Sequence, residues 1–346
     1  MKSKHSTARK TGLMPPIHIV GAGGIGVSLA WSLLQAGHDV TLVDANPEKV
    51  ARGTSEGLTV VGHGTVRAPF VAFDEWNPPA SGYILICTKT YDNPIVIERL
   101  TTDACLVPVQ NGVDPELEKL NHAGEGISSF VSECDRSSPV TRITRPGELH
   151  IGTRRSASAK ETGDLALLAD ALAGGKLFRV RYVDNILPYK SAKLMYNAAI
   201  SPLAAAAGVD NGELLTDSLA TRLFFALLRE NYAILHHCRV ELARIGPFHP
   251  KTVSRILSTP LLPYAMALFF RPSLKGTYCS MAPDIATGRT EVDAYNGHLI
   301  RIARDFPCPI NRAACSMVRE IASGTHPIGR ENFSRLAEAL PAGVLR

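Results

Sequence analysis

The chain has 346 residues, 45% hydrophobic and 20% charged, with a net charge of +5. That is the make-up of a globular protein long enough for two domains. The mild surplus of positive charge suits a small anionic ligand, and no basic stripe interleaved with aromatics points to nucleic acid. No apolar run reaches the length of a membrane span. The seven cysteines form no C-x-x-C pair and no metal-ligand spacing, which reads as reduced thiols in a cytoplasmic protein without a metal. Residues 1–15 are basic and lack an apolar h-region, so they read as a flexible tail rather than a secretory signal.

Ile17–Val20 is a short apolar run that stops at Gly21. The segment Gly21-Ala22-Gly23-Gly24-Ile25-Gly26 then carries G-x-G-x-x-G, and Val27–Ala36 has an apolar helical pattern closed by Gly37. Strand, tight turn and helix in that order form a dinucleotide-binding fingerprint. Gly21 makes the turn, Gly23 lets the backbone approach a pyrophosphate, and Gly26 lets the helix lie close on the strand. The free N–H groups of the first helical turn face the phosphates. A second strand, Val40–Val43, ends in Asp44, placed to hydrogen-bond a ribose hydroxyl.

Gly57–Val61 reads as another short strand. Gly82–Thr88 is continuously apolar, as a buried parallel strand requires, and Lys89 follows it. Ala104–Val109 is a further strand and delivers Gln110-Asn111-Gly112 to the carboxyl edge of the sheet, where open α/β folds bind ligands. Asn-Gly is also a plain turn sequence, and both readings of Asn111 stand. Thr141–Ile151 reads as a hairpin around Pro146-Gly147, Leu177–Tyr182 as a late strand, and Arg154-Arg155 as a solvated turn. Alternation of this kind predicts an α/β fold, with a Rossmann-type dinucleotide-binding domain over residues 16–186.

Beyond Pro188 the pattern becomes helical over 191–207, 218–243, 250–257, 291–304 and 309–323, with 260–280 broken by prolines into loop and short helix. This predicts an all-helical substrate and dimerisation domain over residues 187–346. In the first of these helices Lys193, Asn197 and Ser201 recur at i, i+4, i+8, a polar stripe on an otherwise apolar helix. A buried lysine is costly unless it is paired or lines a wet cleft, so the stripe reads as a substrate groove. The alternative is a lysine whose head reaches the surface. Pro202 removes one helical hydrogen bond. Thr290 and Asp293 have the spacing of a capping box, which puts Glu291 in a first helical turn.

These pieces together resemble the ketopantoate reductase (2-dehydropantoate 2-reductase) family. The resemblance rests on GAGGIG at 21–26, Lys89 after its strand, VQNGV at 109–113 and KLMYNAAISPL at 193–203. It continues through Asn211-Gly212-Glu213-Leu214, Ser280-Met281 with Asp284, and GRTEVDAYNG at 288–297. It implies Lys193 and Glu291 as catalytic residues, with Glu291 orienting or charge-balancing the lysine. It further implies Asn111, Asn197, Ser201, Asn211 and Ser280 as substrate contacts, and Lys89 and Asn111 beside the cofactor. The implied reaction is reduction of a 2-oxo acid by NADPH or NADH, in a protein that is a possible homodimer. Alternatives are a relative acting on another 2-oxo or 3-hydroxy acid, and a non-catalytic dinucleotide sensor. Ser201 stands where many members have asparagine. No arginine follows Asp44 directly, so a 2′-phosphate would face a carboxylate, which argues that NADH is accepted.

Overall fold

The computed structural model describes residues 14–100, 103–120, 122–154, 157–259 and 261–345. Of the expected tail only Met14 and Pro15 fall in that range, and Arg155 lies outside it. The first half is built on a five-stranded sheet in the order β5 (Phe70–Ala72), β2 (Val40–Asp44), β1 (Ile17–Val20), β6 (Tyr83–Ile86), β7 (Cys105–Pro108). All four of its ladders are parallel. Ile17, Ile19, Val20, Leu42, Val43 and Ile84–Ile86 are at most 1% exposed, the continuous burial that a sheet covered on both faces imposes. The chain leaves β1 toward β2 on one side and reaches β6 on the other. The β1–β6 boundary is therefore the topological switch point, where a crevice opens at the carboxyl edge.

Helices α1 (Gly24–Gln35), α2 (Pro47–Glu56), α3 (Asn93–Ile97), α4 (Pro115–Lys119) and α5 (Ala159–Gly174) complete this half. Asn46 caps α2 and Ser158 forms a capping box with Glu161 on α5, so both starts follow local side-chain chemistry.

Two smaller sheets flank the main one. The first has the order β4 (Gly64–Val66), β3 (Leu58–Val60), β10 (Val140–Arg145), β9 (Val131–Cys134); the second is β12 (Arg179–Val183), β11 (Glu148–Thr153), β8 (Gly124–Ser128). The hairpin expected over Thr141–Ile151 is therefore not formed. β10 pairs with β3 and β9, whereas β11 pairs with β12 and β8. Pro146-Gly147 passes the chain from one sheet to the other. A Cβ on Gly147 would meet the Phe130 amide nitrogen at 2.4 Å, so the crossing requires glycine.

From Leu187 onward the described elements are all helical: α6 (Leu187–Ala207), α7 (Asn211–Leu214), α8 (Ser218–His237), α9 (Pro250–Leu257), α10 (Leu262–Leu274), α11 (Ala282–Ile285), α12 (Asn296–Ala303), α13 (Pro309–Ala322) and α14 (Glu331–Glu338). Three boundaries depart from the pattern. α8 stops at His237, and Arg239 takes a positive φ of 54°. Residues 262–274 are one helix, because Pro263 occupies its first turn and Pro272 its last. The capping box at Thr290 is absent. Thr290 accepts a hydrogen bond from the Val292 N–H, Asp293 pairs with Arg319, and α12 begins only at Asn296.

Helix α6 is the axis of this half, with most of its side chains buried. Pro202 has no N–H to give the Ala198 carbonyl, and Asn296 Nδ2 fills that place at 2.8 Å. Asn231 donates to the Met195 carbonyl and Asn332 to that of Ala206, each at 2.9 Å.

Candidate active site

A cavity of about 1360 Å³ runs along the carboxyl edge of the parallel sheet and into the helical half. Gly23, Gly24, Ile25, Lys89, Asn111, Lys193, Asn197, Ser201, Asn211, Ser280 and Glu291 all line it. Gly21, Ala22, Gly26 and Asp44 lie behind that wall and build it.

The glycine turn has the geometry that its spacing demands. Gly21 has φ +99°, and a Cβ there would meet the Cys87 carbonyl carbon at 2.9 Å. A Cβ on Gly26 would stand 1.9 Å from the Gly21 oxygen, while at Gly23 nothing lies within 4 Å. No side chain caps α1, so its first N–H groups remain available on the cavity side. Asp44 braces the turn, accepting from the Ala22 N–H at 2.7 Å and the Asn46 N–H at 2.9 Å. Lys49, absent from the expected site, is buried with Nζ 3.2 Å from the Ala22 carbonyl oxygen and lines the cavity. Arg52 is exposed and paired with Glu48 at 3.0 Å.

The Asn111 loop is anchored from both halves. Gln110 donates to the Thr88 carbonyl and to Asn93, each at 2.7 Å, and the Val113 N–H donates to the Ala294 carbonyl at 3.0 Å. Gly112 has φ +75°, and a Cβ there would strike the Tyr295 ring. The Asn-Gly turn and the ligand edge thus coincide.

Lys89 spans the two halves. Its Nζ donates to the Ser280 carbonyl, to Asp284 at 2.6 Å and to Glu291 at 3.3 Å. Burial works against its charge, but Glu291 and Asp284 outweigh it and hold the ammonium pKa above its ordinary value. Glu291 is 3% exposed and also receives bonds from Ser280 Oγ at 3.3 Å and Tyr295 Oη at 3.4 Å. This corrects the expected partnership: the carboxylate of Glu291 is bonded to Lys89 and not to Lys193.

Lys193 rises from α6 into the cavity without a carboxylate partner among the described residues. Burial, with Arg145 adding repulsion, lowers its pKa to about 8. Tyr196, one turn along, is pushed up to about 12 by burial, so of the two it is Lys193 that can exchange a proton near neutral pH.

Asn211 lines the cavity with its amide turned into the wall. Thr277 donates its hydroxyl to the Leu274 carbonyl at 2.6 Å, so its oxygen can only accept. Asn211 therefore turns Nδ2 toward Thr277 at 3.3 Å, and its Oδ1 is buried without a partner. The wall also includes the apolar side chains of Ile200, Phe224, Leu228, Met266 and Phe270.

Arg154, expected in a solvated turn, instead pairs with Glu118 at 2.7 Å and with buried Glu125, which Lys190 of α6 also contacts. With His122 this forms a buried ion cluster where the two halves meet. Arg145 and the Arg154 cluster escape the sequence reading, because basic residues near a presumed hairpin look like solvated surface, whereas Lys49, a helical turn beyond Asp44, is legible there as a cation able to reach a 2′-phosphate.

The family model described as "Ketopantoate reductase PanE/ApbA" matches residues 17–155, and its C-terminal counterpart matches residues 185–322. The 2-dehydropantoate 2-reductase of Archaeoglobus fulgidus is 25% identical over 316 residues, covering 89% of this chain and 98% of that protein. Among solved structures, a ternary complex of D-mandelate dehydrogenase with NADH and anilino(oxo)acetate superposes with a TM-score of 0.72 at 21% identity, covering 90% of this chain and 99% of that one. A PanE/ApbA family ketopantoate reductase from Ralstonia eutropha JMP134 gives a TM-score of 0.70 at 24% identity, covering 90% and 100%. At these identities the structural likeness carries the fold.

Proposed function

The chain belongs to the ketopantoate reductase family of nicotinamide-dependent oxidoreductases, and from that premise we propose that it reduces 2-dehydropantoate to pantoate. The observation that carries this reading is Lys193: an unpaired lysine with its pKa lowered to about 8, on the wall that also holds the glycine turn.

The glycine turn, the α1 N-terminus, Asp44 and Lys49 would hold NADH or NADPH, which supplies the hydride for the ketone carbon. Lys193 faces the oxygen on which negative charge develops and gives it a proton, combining general acid and electrostatic stabilisation. Asn111, Asn197 and Ser280 fix the orientation of the ketone, and a well-oriented reactant gains much of its rate from position alone. Asn211 lines the same cavity and stands with the proposed substrate contacts. Asp44 at the adenosine corner accepts hydrogen bonds from ribose hydroxyls and repels a 2′-phosphate, so NADH serves at least as well as NADPH.

A second reading is favoured by the aromatic wall. Phe224 and Phe270 suit a bulkier apolar 2-oxo acid, and D-mandelate dehydrogenase is among the structural neighbours. Oxidation of NADH and NADPH, followed side by side with 2-dehydropantoate and a panel of aliphatic and aromatic 2-oxo acids, tests both. A best kcat/KM for an aromatic acid selects the second reading. No turnover with any 2-oxo acid defeats both and leaves a dinucleotide sensor.

A further inference from the structure

Of the arginines that line the cavity and that no part of the mechanism above uses, Arg136, Arg181 and Arg244 are exposed and only Arg145 is half-buried. Arg145 is the last residue of β10, at the point where the ladder with β9 slips between Ile143 and Arg145. Such a bulge re-aims a side chain. Here the guanidinium lines the same cavity as Lys193, half-buried, and burial lowers its pKa.

Among the described residues no carboxylate neutralises it. The cavity has five lining carboxylates, and four are committed elsewhere. Glu148 accepts from Arg181 at 2.7 and 2.9 Å and from Arg179 at 3.3 Å. Asp284 and Glu291 hold Lys89. Asp135 accepts from the backbone and hydroxyls of Ser137 and Ser138. Glu133 is exposed and makes no bond to Arg145. Arg145 and Lys193 line one cavity and neither is bonded to a carboxylate among the described residues, so the site is complete only when the ligand brings the negative charge.

The far end of the polar wall would repel such a charge. Ser280 Oγ lies 3.3 Å from the Glu291 carboxylate. We propose that Arg145 binds the carboxylate of the 2-oxo acid substrate, leaving the adjacent ketone oxygen to Lys193. This rests on the reductase reading. A planar guanidinium matches a carboxylate with two parallel hydrogen bonds, which a lysine cannot do. The two cations do not compete, because the substrate supplies a full negative charge to one and a developing one to the other.

The test compares 3-methyl-2-oxobutanoate with its methyl ester, using NADH and the full-length protein, in wild type, Arg145→Ala and Arg145→Lys. The ester keeps the ketone and loses the charge. The expected result is a fall of about 30-fold or more in the acid-to-ester ratio of kcat/KM for Arg145→Ala, mostly in the KM of the acid. Ester turnover should stay within about threefold, which also reports that the variant is folded, and Arg145→Lys should recover part of the ratio. An unchanged ratio overturns the proposal. So does a raised KM for NADH with an unchanged ratio, which would assign Arg145 to the cofactor's phosphates. A wild-type protein that reduces no 2-oxo acid sinks the reductase reading itself, and this assignment with it.

Discussion

Lys89 follows a strand of the parallel sheet and Lys193 rises from a helix of the other half, yet both line one cavity. Lys89 has two carboxylates and a carbonyl around its ammonium, and its pKa is raised. Lys193 has none of these, faces Arg145, and its pKa falls to about 8. Burial acts on both in the same direction, so the neighbours decide. The contrast separates two uses of a lysine: a permanent charge that ties two segments together and, on the proposed mechanism, a proton donor near the working pH.

The contrast breaks most sharply if the proton donor is removed. Lys193→Ala should lower kcat by about 10²–10⁴-fold, with NADH binding, followed by fluorescence titration, unchanged. A variant that keeps most of its turnover would show that Lys193 is not the acid.

The pH profile sharpens it next. The ammonium form of Lys193 is the competent one for reduction, so kcat/KM should be level below about pH 8 and fall tenfold per unit above it. A level profile to pH 10 would contradict the lowered pKa. The stability sign follows from the same shift. Between about 8 and the ordinary lysine value the unfolded chain binds more protons, so stability rises with pH across that window. Lys193→Met should accordingly lose activity and gain stability at neutral pH, measured as a higher urea midpoint.

Breaking the other lysine should do the opposite. Lys89→Met leaves Asp284 and buried Glu291 without their cation and should cost about 1–2 kcal/mol by urea unfolding, allowing for the partial exposure of the pair. The alkaline limb of kcat/KM should stay near pH 8. If that limb moves by a full unit, the two lysines are coupled and the division between them fails. The smallest effect concerns the cofactor. NADH should equal or exceed NADPH in kcat/KM by up to about threefold, an energy difference of the size expected for an exposed, screened charge. A tenfold preference for NADPH would mean that Lys49 outweighs Asp44.

The parallel sheet was legible because its longer strands are largely apolar, broken only by His18 in β1 and by Thr41 and Asp44 in β2, and are punctuated by glycine, proline or asparagine. The stripe Lys193-Asn197-Ser201 was legible because polar residues at helical spacing stand out against alanine and leucine. Strand partners were not. Thr141–Arg145 and Glu148–Ile151 have the composition and turn of a hairpin, and only long-range pairing with β3 and β8 sends them to different sheets. The same limit hid Arg145, since its place in the cavity depends on that divergence. The partner of Glu291 was misjudged for a related reason. Spacing in sequence put it near a catalytic lysine, while the choice between Lys89 and Lys193 lies in how the halves pack.

The three asparagines that reach the carbonyls of α6 come from α8, α12 and α14. They grip the backbone, so the fastening does not depend on which side chains α6 carries. That leaves a helix whose last turn is all alanine free to let its neighbours approach closely while it stays in register with them. Opening α6 requires three other helices to let go together. Its amides should therefore exchange with solvent deuterium only through global unfolding, while those of α10, which presents Leu268 and Phe269 to solvent, exchange through local opening. On the proposed mechanism the proton donor sits on the helix whose backbone three others hold, and any rearrangement that accompanies turnover is left to the segments around it.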